Sequence, residues 1–305
     1  MSASWSRVAL VIGRELRVLQ RSRSAAATLA VLLAVAWMPA LVLPLRAGTL
    51  GVATLSDSVL LTLAIAGVVL PLVGLLAGAE AFASEIDDGT LVSVVTLPIG
   101  RGACFAGKWC GRTLTTTALY VLAFGSAFAG MAAAHGLAGA ADYLTVAAGG
   151  LLLLLSASGL GILLGAGAAG RLRAFGAALL LWLVLVFVID ALLLAAIVAT
   201  APPPPASVGA HGHTELAAPI HRGPSSRQED GGGGAPGPTW WMALSPVDLY
   251  RLTALLGPGS RSRLDLALGQ TGGSIPWAPL VVGWSVWLGL PPAVGLWRFR
   301  RAILR

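Results

Sequence analysis

Apolar runs fenced by charges constrain this chain before anything else does. Residues 24–45 lie between Arg23 and Arg46, residues 58–79 between Asp57 and Glu80, and residues 113–134 between Arg112 and His135. Each run holds 22 residues, about 33 Å of helix, enough to cross a hydrocarbon core of roughly 30 Å. Further runs lie within 144–169 and 174–200 and at 276–297. Backbone groups find no water inside a bilayer, so such segments must close their hydrogen bonds as helices. The pattern predicts an all-α membrane protein, one transmembrane domain over 1–305 with six transmembrane helices. The first run exceeds the apolar core of a secretion signal and reads as a retained anchor.

Charge and hydropathy close off the alternatives. Charged residues make up 11% of the chain, against about 25% in soluble domains. A mean hydropathy of +0.83 leaves too little polar surface to coat a water-soluble globule. The net charge of +7 comes almost wholly from arginine, with Lys108 the sole lysine. A nucleic-acid binder would gather those arginines with aromatics on one polar face. Here they come in short bursts between apolar runs, as membrane orientation requires. Fourteen of the twenty basic residues fall on the N-terminal segment, the turns at 101–112 and 171–173 and the C-terminal end, whereas the two short loops opposite hold only Arg46. The expected topology is multi-pass in a bacterial inner membrane, with both termini cytoplasmic.

Three stretches are expected outside the spans. Trp5, Val8, Ala9, Ile12, Leu16 and Leu19 recur at helical spacing among Arg7, Arg14, Arg17 and Arg21, which predicts a basic amphipathic helix lying on the anionic cytoplasmic surface. The loop at 201–275 opens as a Pro/Gly-rich insert over 201–238, too polar to pack and expected to be mobile. Order then resumes in SPVDLYRLTALLGP. Ser245 can cap a helix, Pro246 fits its first turn, Asp248 completes a capping-box pattern, and Gly257 and Pro258 end it. This short helix is expected to present Asp248, Leu249, Arg251, Leu252 and Leu255 to an extracytoplasmic partner.

Few residues point to chemistry. GACFAGKW at 102–109 has the spacing of a phosphate-binding loop, but Trp109 stands where a magnesium-holding Ser or Thr belongs and no strand precedes it. No catalytic residue and no cofactor are assigned to this chain. A Cu(I) path needs thiol or thioether ligands through the membrane; Cys104 and Cys110 read as cytoplasmic-loop residues, and Met38, Met131 and Met242 form no relay. His211, His213 and His221 lie in the insert, and whether they bind metal stays open. Asp190 is the one ionisable residue deep in a span. It reads either as a functional group or as a carboxyl bonded to a Ser or Thr of a neighbouring span. The small-residue pairs Gly74/Gly78 and Gly161/Gly165 permit close helix contact, a weak signal in a chain with 39 glycines.

The informative stretch is GAEAFASEIDDGTLVSVVTLPIGRGACFAGKWCGR at 78–112. Glu80, Glu85, Asp87 and Asp88 continue the second span as an acidic stalk, Gly89 and Thr90 break and recap the chain, and Leu91 to Leu97 form a short apolar helix stopped by Pro98. The stretch resembles the signature of type-2 ABC exporter permeases: an acidic pair, Gly-Thr-Leu, a proline, an arginine, then Gly-Lys. Glu85, Asp87, Gly89, Thr90, Leu91, Pro98, Arg101, Gly107 and Lys108 occupy those positions, with Asp87 where glutamate is commoner. LSPVDLYRL at 244–252 and the ending GLWRFRRAILR resemble the permeases that serve copper-site maturation of nitrous-oxide reductase.

The resemblance implies an ABC-2 permease fold, with residues 4–23 as the elbow helix and 91–97 as the coupling helix. Leu91, Val94 and Val95 would fill a cleft on a separate ATP-binding subunit that carries ATP and magnesium, with Glu85, Asp87 and Arg101 holding the helix angle. It also implies a homodimer, an extracytoplasmic partner and a role in denitrification. The rival readings are an ABC exporter permease for a drug, lipid or peptide, and a proton-coupled secondary transporter using Asp190. The latter class shows inverted repeats with broken helices, and the sequence offers none.

Overall fold

The computed structural model describes residues 22–46, 48, 51–87, 89, 101–168, 170–192, 195, 245–259 and 277–302, apart from the side chains of Glu85, Arg101 and 299–302. Six helices long and apolar enough to span a bilayer are present among them. In chain order these are α1 (Arg23–Arg46), α2 (Leu55–Asp87), α3 (Arg101–His135), α4 (Ala140–Gly167), the span Arg171–Leu192 built on α5 (Arg171–Leu183), and α7 (Trp277–Ala302). A short helix, α6 (Pro246–Ala254), lies between the last two. The amphipathic N-terminal helix and the insert at 201–238 fall outside the described residues.

Several helices overrun their apolar runs. α2 continues to Asp87, and α3 starts at Arg101 rather than at residue 113. Lys108 and Arg112 therefore sit on a helix, nearly buried, and Cys104 and Cys110 are helical residues rather than loop residues. The extension is stable because both cations find oxygen on α2: Lys108 Nζ donates to the Ala81 carbonyl at 3.1 Å and Arg112 Nε to the Ala77 carbonyl at 2.6 Å. The phosphate-loop lookalike at 102–109 is thus part of a continuous helix. At the opposite end Thr54 and Asp57 cap α2 reciprocally, with Thr54 Oγ1 donating to the Asp57 carboxylate at 2.7 Å and accepting from the Asp57 N–H.

Two helices form the axis of the bundle. Half of the span in α2 and 61% of that in α4 are buried, against 28% in α1, α3 and α7 and 17% in Arg171–Leu192. Glycine explains why α2 and α4 come so close. A Cβ on Gly74 would lie 2.6 Å from the Leu154 carbonyl oxygen, and one on Gly78 would run into that of Ser158. From the other side, Gly161 faces the Leu75 carbonyl and Gly165 that of Ala79. The two small-residue pairs are therefore two halves of one seam, where backbones touch and Cα–H groups meet carbonyl oxygens. Around it the core is aliphatic and aromatic, with Leu70, Leu153, Leu154, Tyr120 and Phe124 buried together. The exposed large residues, among them Leu60, Val121, Leu122, Leu180 and Val281, form the belt that hydrocarbon would wet.

Candidate functional site

Charged side chains collect at two places, one at each end of the bundle. At the end rich in basic residues the centre is Glu80, on the last turns of α2. Its Oε2 accepts from Arg112 of α3 at 2.8 Å and its Oε1 from Arg171, the first residue of α5, at 3.2 Å. The Arg112–Glu80 pair is largely enclosed, with side chains 8% and 17% exposed, whereas Arg171 is half exposed. Arg171 also lies over the Phe175 ring. Two turns beyond, Asp87 takes the backbone N–H of Arg171 on both carboxylate oxygens, at 3.1 and 3.2 Å. This supplies the cap that Gly170 lacks a side chain to give, and puts an anion at a helix N-terminus, where the helix dipole favours it. Three spans are thus tied together at the root of segment 80–101.

The second site is built around α6. Ser245 caps the helix as its sequence suggests, its hydroxyl accepting from the N–H groups of Val247 and Asp248 at 3.2 and 3.4 Å. Its position is not the one expected. Rather than lying on the surface, α6 dips between α2, α4 and α7, and Leu249 and Tyr250 are wholly enclosed. Tyr250 enters beside Gly67 of α2 and Gly149 of α4, and Leu249 seats against Gly283 of α7, where a Cβ would come within 2.7 Å of it. Gly149 is about 13 Å along α4 from Ala140 at 1.5 Å per residue, so the helix plugs the bundle well below its rim.

Polar contacts hold the plug from three sides. Thr253 accepts from the Trp284 indole N–H of α7 at 3.1 Å, and Asp142 of α4 takes the Gly259 N–H at 2.9 Å. Arg251 donates to Asp190 at 2.7 Å and to Asp248 at 3.1 Å. Asp248 is 3% exposed. Burial raises its pKa, Asp190's charge adds to the rise, and Arg251 opposes it. One carboxylate oxygen each of Asp190 and Asp248 has no hydrogen-bond partner among the described residues, so a single guanidinium serves two acids.

The family model for ABC-2 family transporter proteins matches residues 9–304. The chain belongs to that family. Two relatives, each named as a probable ABC transporter permease protein NosY, are similar over most of their length. The Pseudomonas aeruginosa protein is 29% identical over 267 residues, 84% of either chain. The Stutzerimonas stutzeri protein is 27% identical over 279 residues, covering 88% of this chain and 87% of that one.

Against this ABC-2 framework the expected site residues divide. Thr90, Leu91, Val94, Val95 and Pro98 lie outside the described residues, as do the side chains of Glu85 and Arg101. Gly89 has a φ of 66°, the left-handed conformation that glycine adopts at least cost and that turns the chain out of α2. Asp87 is exposed and caps α5. Asp190 lacks the expected hydroxyl partner: it is paired with an arginine of α6. The outward docking surface on α6 is corrected by burial, since Leu249 and Leu252 are enclosed, Leu255 is half-buried and only Arg251 is exposed. The physical reason is that the glycine sockets at 67, 149 and 283 offer its apolar face a better burial than water or a rim contact. Sequence reading missed the Glu80–Arg112–Arg171 cluster. Its signal was present in three charges placed where apolar runs stop, but pairing across 91 residues leaves no local trace.

Proposed function

We propose that this chain is the permease subunit of an ABC transporter whose ATPase is a separate, NosF-like chain docking on segment 80–101. The observation that carries the reading is the cluster at the root of that segment. Glu80 joins Arg112 and Arg171, and Asp87 caps α5, so a tilt of the segment moves α2, α3 and α5 together rather than α2 alone. The exposed acid at Asp87 and the apolar Leu91, Val94 and Val95 supply charge and apolar contact to a soluble partner. Charged hydrogen bonds from Glu85, Asp87 and Arg101 to that partner would set the docking angle. ATP and magnesium are then bound by the partner. A homodimer fits the thin packing of the Arg171–Leu192 span.

The finer reading places the complex in copper-site maturation of nitrous-oxide reductase, with a NosD-like partner outside. It is supported by the likeness to two proteins named NosY and by LSPVDLYRL at 244–252, the stretch that becomes α6. The plug it forms would respond to motion below and present Arg251 outward.

The test is Val94→Glu, which puts an unpaired charge into the proposed docking contact at a cost of several kcal/mol. The variant is expected to insert normally and lose the co-purifying ATPase, while Glu85→Ala and Arg101→Ala keep the ATPase with impaired activity. Full ATPase recovery and full activity in Val94→Glu would remove the docking assignment.

A further inference from the structure

The span Arg171–Leu192 differs from the other five in three independent ways. It is the least enclosed, 17% buried. Both its ends are held by charge: Arg171 by Glu80 and by Asp87 at one end, and Asp190 by Arg251 at the other. Between them, residues Val184–Val188 form a π-helical turn. A π turn carries one residue more than the α-helix it interrupts, is rare, and is frequently found at functional sites.

That surplus residue gives the span two registers. On one side of the turn, the Trp182 indole N–H donates to the Val68 carbonyl at 2.9 Å, fixing α5 to α2. On the other side the polar anchor among the described residues is Asp190, through Arg251, beside the apolar packing of Ile189. If the turn resolves into α-helix and passes its extra residue toward 192, everything beyond it rotates by about 100°, one residue's step in an α-helix. Asp190 then leaves Arg251, and Asp248 alone retains the guanidinium. The cost is one partly exposed ion pair, Arg251 being 45% exposed and Asp190 28%, together with the repacking of Leu185 and Val186, which the turn buries, and of Ile189. The change of register therefore needs a push large enough to offset that packing, as a partner fuelled by ATP would supply.

We infer that the π turn at Val184–Val188 is a two-register switch that carries motion from the Glu80 cluster to α6 by making or breaking the Asp190–Arg251 pair. The inference rests on the proposed coupling to an ATPase, and it supplies that reading with a bistable element which both ends of the span bias, the physical requirement for coupling over distance.

The experiment uses the full chain in a Cys104→Ser, Cys110→Ser background, alone and with its co-purified ATPase. Spin labels are placed at Leu192 and Leu144, with Leu180 and Leu144 as the control pair. All three leucines are exposed, and Leu180 precedes the turn. Arg251→Gln in the chain alone is expected to shift the 192–144 distance by several ångströms, up to about 8 Å, from a 100° rotation of a helix about 10 Å across, with the 180–144 distance unchanged. A non-hydrolysable ATP analogue is expected to produce the same shift in the complex. Deleting Val188 removes the surplus residue and leaves Asp190 opposite Arg251; that variant is expected to keep its ATPase and show no shift. An unmoved 192 label in Arg251→Gln overturns the switch whatever the ATPase does. A complex in which nucleotide binds and the label stays still overturns its use in coupling. If wild-type chain recovers no ATPase while the Arg251→Gln shift is present, the coupling reading fails and the switch stands.

Discussion

Along the α2–α4 seam, helices meet backbone to backbone through Gly74, Gly78, Gly161 and Gly165. At the far end of the fifth span, contact to α6 runs instead through two side chains, Asp190 and Arg251, 2.7 Å apart. The first contact has no rotamers to lose and no charge to desolvate; its energy is dispersion over a long, dry line. The second holds charge at the rim, can be broken without opening a cavity, and costs little to remake. A transporter needs both kinds. The glycine seam can be an axis because nothing in it can rearrange by small steps, whereas the charged latch can be a moving part because it has a second acceptable state.

The comparison breaks most sharply at Gly78. A side chain there meets the Ser158 carbonyl and the Ile162 N–H of α4, so Gly78→Leu must push two helices apart. The expected loss is on the order of 3 kcal/mol or more, read as a fall in thermal unfolding temperature in detergent. An unchanged transition would mean that the seam is not the axis.

Arg251→Leu comes next. It strands the buried Asp248 beside Asp190, a change that costs about 3–5 kcal/mol when a pair is fully enclosed; with Arg251 45% exposed, about 1–3 kcal/mol is expected after solvent screening. Asp190→Asn together with Arg251→Gln should recover part of it, since neutral partners leave less charge unmatched. If the double variant is as weak as the single one, packing rather than charge holds α6. The smallest effect is expected from Trp284→Phe, which keeps the ring and removes one hydrogen bond to Thr253, about 0.5–1.5 kcal/mol, by the same thermal measurement.

Six spans were legible because apolar length and flanking charge are local properties. The N-cap at Ser245 was legible for the same reason: serine, proline and aspartate fall within four residues, 245–248, and the structure uses the serine hydroxyl for the cap. The seam was visible as two small-residue pairs, but not the fact that they face each other, since 83 residues separate Gly78 from Gly161. α6 misled for a related reason. Nine residues are too short to register as a membrane segment, and its polar members Asp248 and Arg251 suggested a surface. Their partner Asp190 and the sockets at Gly67, Gly149 and Gly283 belong to four other helices, and only the assembled bundle makes a place for them.

The depth of α6 also sets an order on biosynthesis. Its seat is made of residues from α2, α4 and α7, and α7 is synthesised after it. When residues 245–259 leave the ribosome, Gly67 and Gly149 already exist, but Gly283 and Trp284 do not. Leu249 and Thr253 gain their α7 partners only once residues 277–302 have entered the membrane. The far end of the bundle is therefore sealed last, and a chain cut short before Trp277 would carry an inserted but open molecule.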